Sequence, residues 1–409
     1  MLRFTQYLEE AKNTHMTHLE DLVIDGNVEG TRQAINYLRA LRDMLAGDSK
    51  APVNLTVKWD GAPAIFAGTD PSDGKFFVAK KGIFNKNPKV YKTPADIDAD
   101  IEGDLNKKLK LALKHLPALG IKGVIQGDFL YSKDDLRKET IDGEPHITFH
   151  PNTIVYAVPA KSELASRILA SEFGVVWHTT YSGSDFESMS ASFGKTIAGR
   201  LKETKAVWSV DAVYKDVSGT ATMTKKETEE VTRVLSDAGR IFQKLKRSTF
   251  EGIANNDELN MRINTFINSK VREGTEIKNV KRFVSELFDY IYEWYQKKID
   301  GMKSEKGKAG WEEKRKNVIS YFSNTPTSEV EALFTLYVLI RQAKMIITKK
   351  LDQAGRIGTF LKTKNGFEVT GQEGFVAIDH MGKNAVKLVD RMQFSRANFS
   401  PEYVKGWQR

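Results

Sequence analysis

The distribution of strand-like runs constrains the fold of this 409-residue chain more than any other feature. Val53–Val57, Ala62–Ala67 and Phe76–Ala79 are short apolar or alternating stretches broken by Gly, Pro, Asn and Asp, the pattern of strands and turns. Val124–Tyr131 and Thr153–Val158 add two more. The same character returns late, at Gly366–Val369, Gln372–Ile378 and Asn384–Val389, with only 20 residues after Val389. Too little chain remains there for an independent sheet, so these strands are expected to pair with those before residue 160. The region between then reads as an insertion.

That region is helical in pattern. Phe283, Leu287, Tyr290, Ile291 and Trp294 trace one face, and Ser328 with Glu331 forms a capping box ahead of Leu333–Leu351. Lys303–Asn317, dense in Lys and Glu, reads as an exposed connection. Residues 1–46 also read as helical, with Ile35, Leu38, Leu41 and Leu45 on one face after a break at Asn27–Gly30, as do residues 95–118. The expected class is α+β. Its parts are an N-terminal helical segment (1–50), a discontinuous sheet domain (51–165 and 360–395), a mostly helical insertion (166–359) and a tail (396–409).

Charge separates these parts further. The formal total is +9, made of about −1 over residues 1–220, about +7 over 221–350 and about +3 over 351–409. A polyanion such as nucleic acid is the partner that the basic insertion favours. Cysteine is absent, which excludes disulfides, thiolate metal sites and cysteine nucleophiles and fits a reducing, cytoplasmic setting. No run of about 18 apolar residues occurs and no charged-then-apolar leader, so neither membrane insertion nor export is expected. His15 and His18, with Glu20 nearby, have a spacing that could hold a metal; no third ligand accompanies them, and an exposed polar turn is the simpler reading. Phe193-Gly194-Lys195-Thr196 looks like the end of a phosphate loop, but Met189 takes the place of its first glycine and no apolar strand precedes it.

One stretch points to chemistry. Thr56-Val57-Lys58-Trp59-Asp60-Gly61 sets a lysine between an apolar entry and the apolar exit Ala64–Ala67, with Asp-Gly directly after it. Strand, turn, strand is the expected shape, and the lysine is placed by it. Further along stand Lys80-Lys81-Gly82, Gly127-Asp128-Phe129, Glu373-Gly374-Phe375-Val376 and Ala385-Val386-Lys387-Leu388. In this order the set resembles the successive nucleotide-binding motifs of the covalent nucleotidyltransferase superfamily, meaning ATP-dependent DNA ligases, RNA ligases and mRNA capping enzymes. The resemblance covers roughly residues 50–160 and 360–395 and implies a ligase-adenylation-type domain with a mixed or antiparallel sheet.

It also implies roles. Lys58 would attack the α-phosphate of ATP and become lysyl-AMP, with Val57, Trp59, Asp60 and Gly61 shaping the turn at the nucleotide and Asp60 facing its sugar. Lys80 or Lys81 fills the basic slot before the motif glycine. Asp128 stands where the third motif usually has Glu and contacts the sugar or a metal; Glu373 matches the metal-directed glutamate, and Lys387 the phosphate-contacting lysine. Tyr156 falls where the family often stacks an aromatic on the base, a core position being the alternative. The cofactors implied are ATP with Mg²⁺ or Mn²⁺, the metal held by Asp128 and Glu373. A free lysine, with a pKa of about 10.4, is neutral in less than about one part in a thousand at pH 7, so burial near a metal and other cations is expected to lower the pKa of Lys58.

Departures narrow the expectation. Pro63 replaces the Arg usual in DNA ligases and capping enzymes, Val389 replaces the second lysine of the fifth motif, and too little chain follows Lys387 for a C-terminal oligonucleotide-binding barrel. RNA ligases tolerate the loss of both the Arg and the barrel. The expected activity is therefore ATP-dependent polynucleotide ligation, on RNA rather than DNA, joining 5′-phosphate to 3′-hydroxyl ends. The alternatives are a DNA ligase, a capping guanylyltransferase, a protein AMP transferase, or a non-catalytic nucleic-acid-binding protein that keeps the fold.

Overall fold

A computed structural model describes residues 16–47, 53–213, 222–354, 357–364, 366–379 and 385–407. His15, with the rest of the first 15 residues, and Asn384 lie outside the described residues. Eleven strands come before the helical region: β1 (Val53–Lys58), β2 (Ala64–Thr69), β3 (Phe76–Ala79), β4 (Val90–Tyr91), β5 (Val124–Ser132), β6 (Arg137–Ile141), β7 (Glu144–Phe149), β8 (Ile154–Pro159), β9 (Phe173–Ser182), β10 (Ser190–Phe193) and β11 (Val207–Asp211). After it come β12 (Gly358–Thr363), β13 (Gly366–Val369), β14 (Gly374–Asp379) and β15 (Ala385–Val389).

These make an α+β architecture of three sheets, ordered β1-β14-β15, β10-β9-β5-β2-β3-β4 and β13-β12-β8-β7-β6. A further strand, β11, runs parallel to β9, while the pairings that carry the site are antiparallel. The late strands do pair back, β14 onto β1 and β12 onto β8.

Alternation along the three-stranded sheet explains where it sits. Leu55, Phe375, Ala377, Val386 and Leu388 point to one face and enter the core of the helices. That core is built by Lys225–Lys244, Arg247–Ala254, Asp257–Arg272, Val280–Asp300, Glu305–Asn324 and Thr327–Leu351, with Asn27–Leu45 joining from the N-terminal side. Of the expected face, Phe283, Leu287 and Ile291 are buried, and Tyr290 and Trp294 pack against them. The opposite face of the sheet, with Thr56 and Lys58, is left for another neighbour. The large sheet supplies it: Ile65, Ala67, Ile125 and Phe129 turn towards Leu109 and Ala112 of the helix Gly103–His115, and the other side of β2 and β5 faces Lys58.

Several boundaries differ from expectation. The helical region expected from residue 166 starts at Lys225, because β9 to β11 occupy 173–211 and β9 lies inside the large sheet. The Ser/Gly/Thr-rich composition there belongs to strand ends and turns. Lys303–Asn317 is mostly helix: Ser304 caps it by accepting from the Gly307 N–H at 3.1 Å, and its Lys and Glu residues are good helix formers on a largely exposed surface. No capping box forms at Ser328; Pro326 occupies the N-cap and the helix begins at Thr327. The tail is docked, with Tyr403 bridging Thr363 and the Gly406 N–H donating to Asn152 O at 2.7 Å.

One polar cluster is enclosed between the helices and β15. Lys344 donates to both oxygens of Glu20, at 2.7 and 2.8 Å, and to Val389 O at 2.8 Å, and neither Lys344 nor Glu20 has exposed surface. Beside it Arg391 donates to Asp21 Oδ1 at 2.8 Å. Among the described residues no helix is long and apolar enough to cross a membrane.

Candidate active site

Lys58 is the last residue of β1, and the antiparallel register sets it opposite Gly374, so Glu373 lies at the start of the neighbouring strand. Their side chains form an ion pair, closing a sequence separation of 315 residues. One rung back, Thr56 aligns with Val376 and Val376 with Lys387, which places Lys387 on the same face. Across the gap, Ala64 pairs with Asp128 and Phe66 with Gln126. The two sheet faces enclose a cavity of about 280 Å³ lined by Lys58, Lys81, Asp128 and Lys387 at its charged part and by Phe66, Tyr181 and Phe193 at its apolar part.

The turn after Lys58 is held by Asp60. Its carboxylate accepts from Asn152 Nδ2 at 2.6 Å and from the backbone N–H groups of Thr153 and Ile154 at 2.6 and 2.8 Å. Asp60, expected to face a sugar, is turned into the protein and anchors the turn to β8 instead. Gly61 is needed for a separate reason: a Cβ there would lie 2.5 Å from the Asp128 Cβ, so only glycine lets the turn pass so close to β5. The Ala62 N–H donates to Phe129 O at 2.9 Å and completes the join.

The remaining expected residues divide. Val57, Trp59 and Lys81 line the cavity; Lys80 does not, because it precedes the short turn Lys81–Phe84 that presents its neighbour. Tyr156 is fully buried, accepts the Asp60 N–H through its hydroxyl at 2.7 Å and stacks under Trp59 at 5.0 Å. It takes the core position, and Trp59 stands between it and the cavity side. His18 is not on an exposed turn: it bridges Lys387 along β15, and burial, only partly opposed by Glu20, lowers its pKa to about 3, while His15 lies outside the described residues.

Other lining residues carried no motif. Gln126 and Phe66 follow by the two-residue period from Asp128 and Ala64, a signal present in the sequence. His178 does not: the β5–β9 register jumps from Gln126↔Thr179 to Gly127↔Trp177, leaving His178 as the extra residue of a bulge. The bulge turns both His178 and Thr179 to the cavity, with His178 Nε2 3.6 Å from Asp128 Oδ2. Gly127 permits it, since a Cβ would meet Val176 O at 2.2 Å.

Charge in the site is unbalanced. Burial works against the Lys58 ammonium, yet Glu373, with Asp128 and Asp60 beyond it, outweighs this and holds its pKa above the usual lysine range. That reverses the lowered pKa expected for it, because the nearest partner is a carboxylate rather than a cation. Burial raises Glu373 to about 7 despite Lys58, helped by Asp60 and Asp128. Lys387 is lowered by burial and then by the Lys58 charge. Asp128 and Glu373 suit a divalent cation that takes one or two carboxylates and completes its shell with phosphate oxygens and water. Among the described residues no group of three or more His, Asp or Glu side chains forms a metal site by itself.

No curated protein and no solved structure matches the chain. One family model does match, over residues 13–403, and the chain therefore belongs to DUF6267, a family of unknown function.

Proposed function

We propose that this chain is an ATP-dependent nucleotidyltransferase that carries AMP on Lys58 and delivers it to a polynucleotide 5′-phosphate, RNA being the substrate favoured by the motif resemblance. The observation that carries the reading is the convergence of Lys58, Asp128 and Lys387 on one cavity, with Glu373 paired to Lys58, from strands far apart in the chain. The cavity has a charged part for phosphates and an aromatic part for a base.

In the first step the Lys58 nitrogen bonds to the α-phosphorus, the bond to the β-phosphate oxygen breaks, and pyrophosphate leaves with that electron pair. Lys58 must first lose a proton, and Glu373, in contact with it and raised to about 7, is the acceptor suited to neutral pH. Lys387 and Lys81 offset the phosphate charge. A divalent cation held by Asp128 would supply further charge neutralisation on the triphosphate. The basic helices offer contacts for the nucleic acid backbone, which weaken as salt rises.

Mass measurement after incubation with ATP and Mg²⁺ tests this. One added AMP on Lys58 is expected, and none in Lys58→Ala; an unmodified wild-type protein at every metal and pH tried ends the covalent reading. GTP in place of ATP, and RNA or DNA ends added after adduct formation, distinguish the acceptors.

A further inference from the structure

A second, larger cleft of about 420 Å³ lies outside the candidate active site, between the helix Glu163–Ala170, the segment 198–205 and β11. Arg167, Lys202 and Lys205 line it, and among the described residues none of the three has a carboxylate partner. Among the described residues Glu203 is the one acid in the lining. The three cations are exposed around one concavity, where an anion relieves their mutual repulsion.

The rest of the lining adds chemistry. Thr204 keeps a buried hydroxyl oxygen with no hydrogen-bond partner among the described residues, while Leu119, Val207 and Trp208 give an apolar wall. The backbone beneath is fixed: the Lys202 N–H donates to Leu119 O and the Glu172 N–H to Ala206 O, both at 2.9 Å. Cations, a spare hydroxyl and an apolar wall in a rigid cleft match a phosphate attached to an apolar or aromatic body. Simple inorganic anions would leave the wall unused.

We propose that this cleft is a second binding site for a nucleotide phosphate, either of a free nucleotide or of a nucleotide within a strand. Trp208 lies on its wall and meets Trp59 edge-on at 6.5 Å, so the two cavities flank one aromatic pair. The site stands on its own residues and does not depend on covalent chemistry at Lys58.

Calorimetric titration of the full chain with ADP, and separately with a short 5′-phosphorylated oligoribonucleotide, tests it. The triple variant Arg167→Ala/Lys202→Ala/Lys205→Ala is expected to weaken one binding step on the order of tenfold or more. Ala170→Trp, which fills the cleft without changing its charge, should do the same. Loss with both probes assigns the site to free nucleotides; loss with the oligonucleotide alone assigns it to a strand. The proposal is overturned if wild-type protein shows no such step, if both variants bind like wild type, or if only the charge variant loses affinity. AMP attachment to Lys58 should persist in both variants, so failure here and failure of the nucleotidyltransferase reading are read separately.

Discussion

Two lysine–glutamate pairs, one fully buried and one partly exposed, hold the same three-stranded sheet, and the protein treats them in opposite ways. At Glu20 burial favours the neutral acid, but Lys344, His18 and Arg391 together outweigh it and bring the pKa down to about 2. Lys344 has three acceptors for its three N–H donors. At Glu373 burial wins, and with the like charges of Asp60 and Asp128 it raises the pKa to about 7 despite Lys58. The first pair is saturated and braces β15. The second is partly exposed and stands beside a cavity, which is the condition under which perturbed groups bind ligands and move protons.

The sharpest way to break this contrast is to remove each lysine. Lys344→Met strands a fully buried carboxylate and is expected to cost about 3–5 kcal/mol in urea unfolding. Lys58→Met should cost clearly less at neutral pH, since Glu373 takes up a proton; equal losses would mean that both pairs are braces. Gly61→Ala comes next, at about 1–3 kcal/mol, because the turn must back away from Asp128; AMP attachment should slow as Asp128 shifts relative to Lys58.

A pH series sharpens the comparison further. Glu373 binds its proton more tightly in the folded state, so its contribution to stability is full below pH about 4.5 and is lost as pH rises to about 7. Glu20 has the opposite sign: its contribution is present above about 4.5 and is lost as pH falls towards 2. Glu373→Gln should therefore gain on wild type as pH rises between 4.5 and 7. Burial raises Asp21 and Asp352 to about 7 as well, so the informative quantity is the difference between variant and wild type. A flat difference curve would remove the distinction between the two pairs. The smallest net change is expected for the double variant Glu20→Leu/Lys344→Met, which replaces the brace by apolar packing and should recover most of the single-variant loss.

Much of the architecture was legible because it follows from alternation and chain length. The return of β14 and β15 to β1 needed only the count of residues left after Val389, and Lys58, Asp128 and Lys387 then met at one cavity with Glu373 paired to Lys58. What escaped depends on geometry without a residue code. The bulge at His178 is a register jump between two strands, invisible in either strand alone. Asp60 reads the same whether it faces a ligand or three donors at Asn152–Ile154, and only tertiary contact decides. The short strand β10 was masked by Ser, whereas the apolar run Phe173–Trp177 of β9 was a signal present in the sequence, and the helix Glu305–Asn324 was masked by a charge density that an exposed loop would share.

The ion pair between Lys58 and Glu373 also bears on how the protein is made. Its partners are separated by 315 residues, so the charged cavity closes only after β14 has left the ribosome. Contacts of such long range form late and slowly. A nascent chain that stops short of β14 lacks both Glu373 and Lys387, so the charged surroundings of Lys58 are incomplete until β14 and β15 are made and pair with β1.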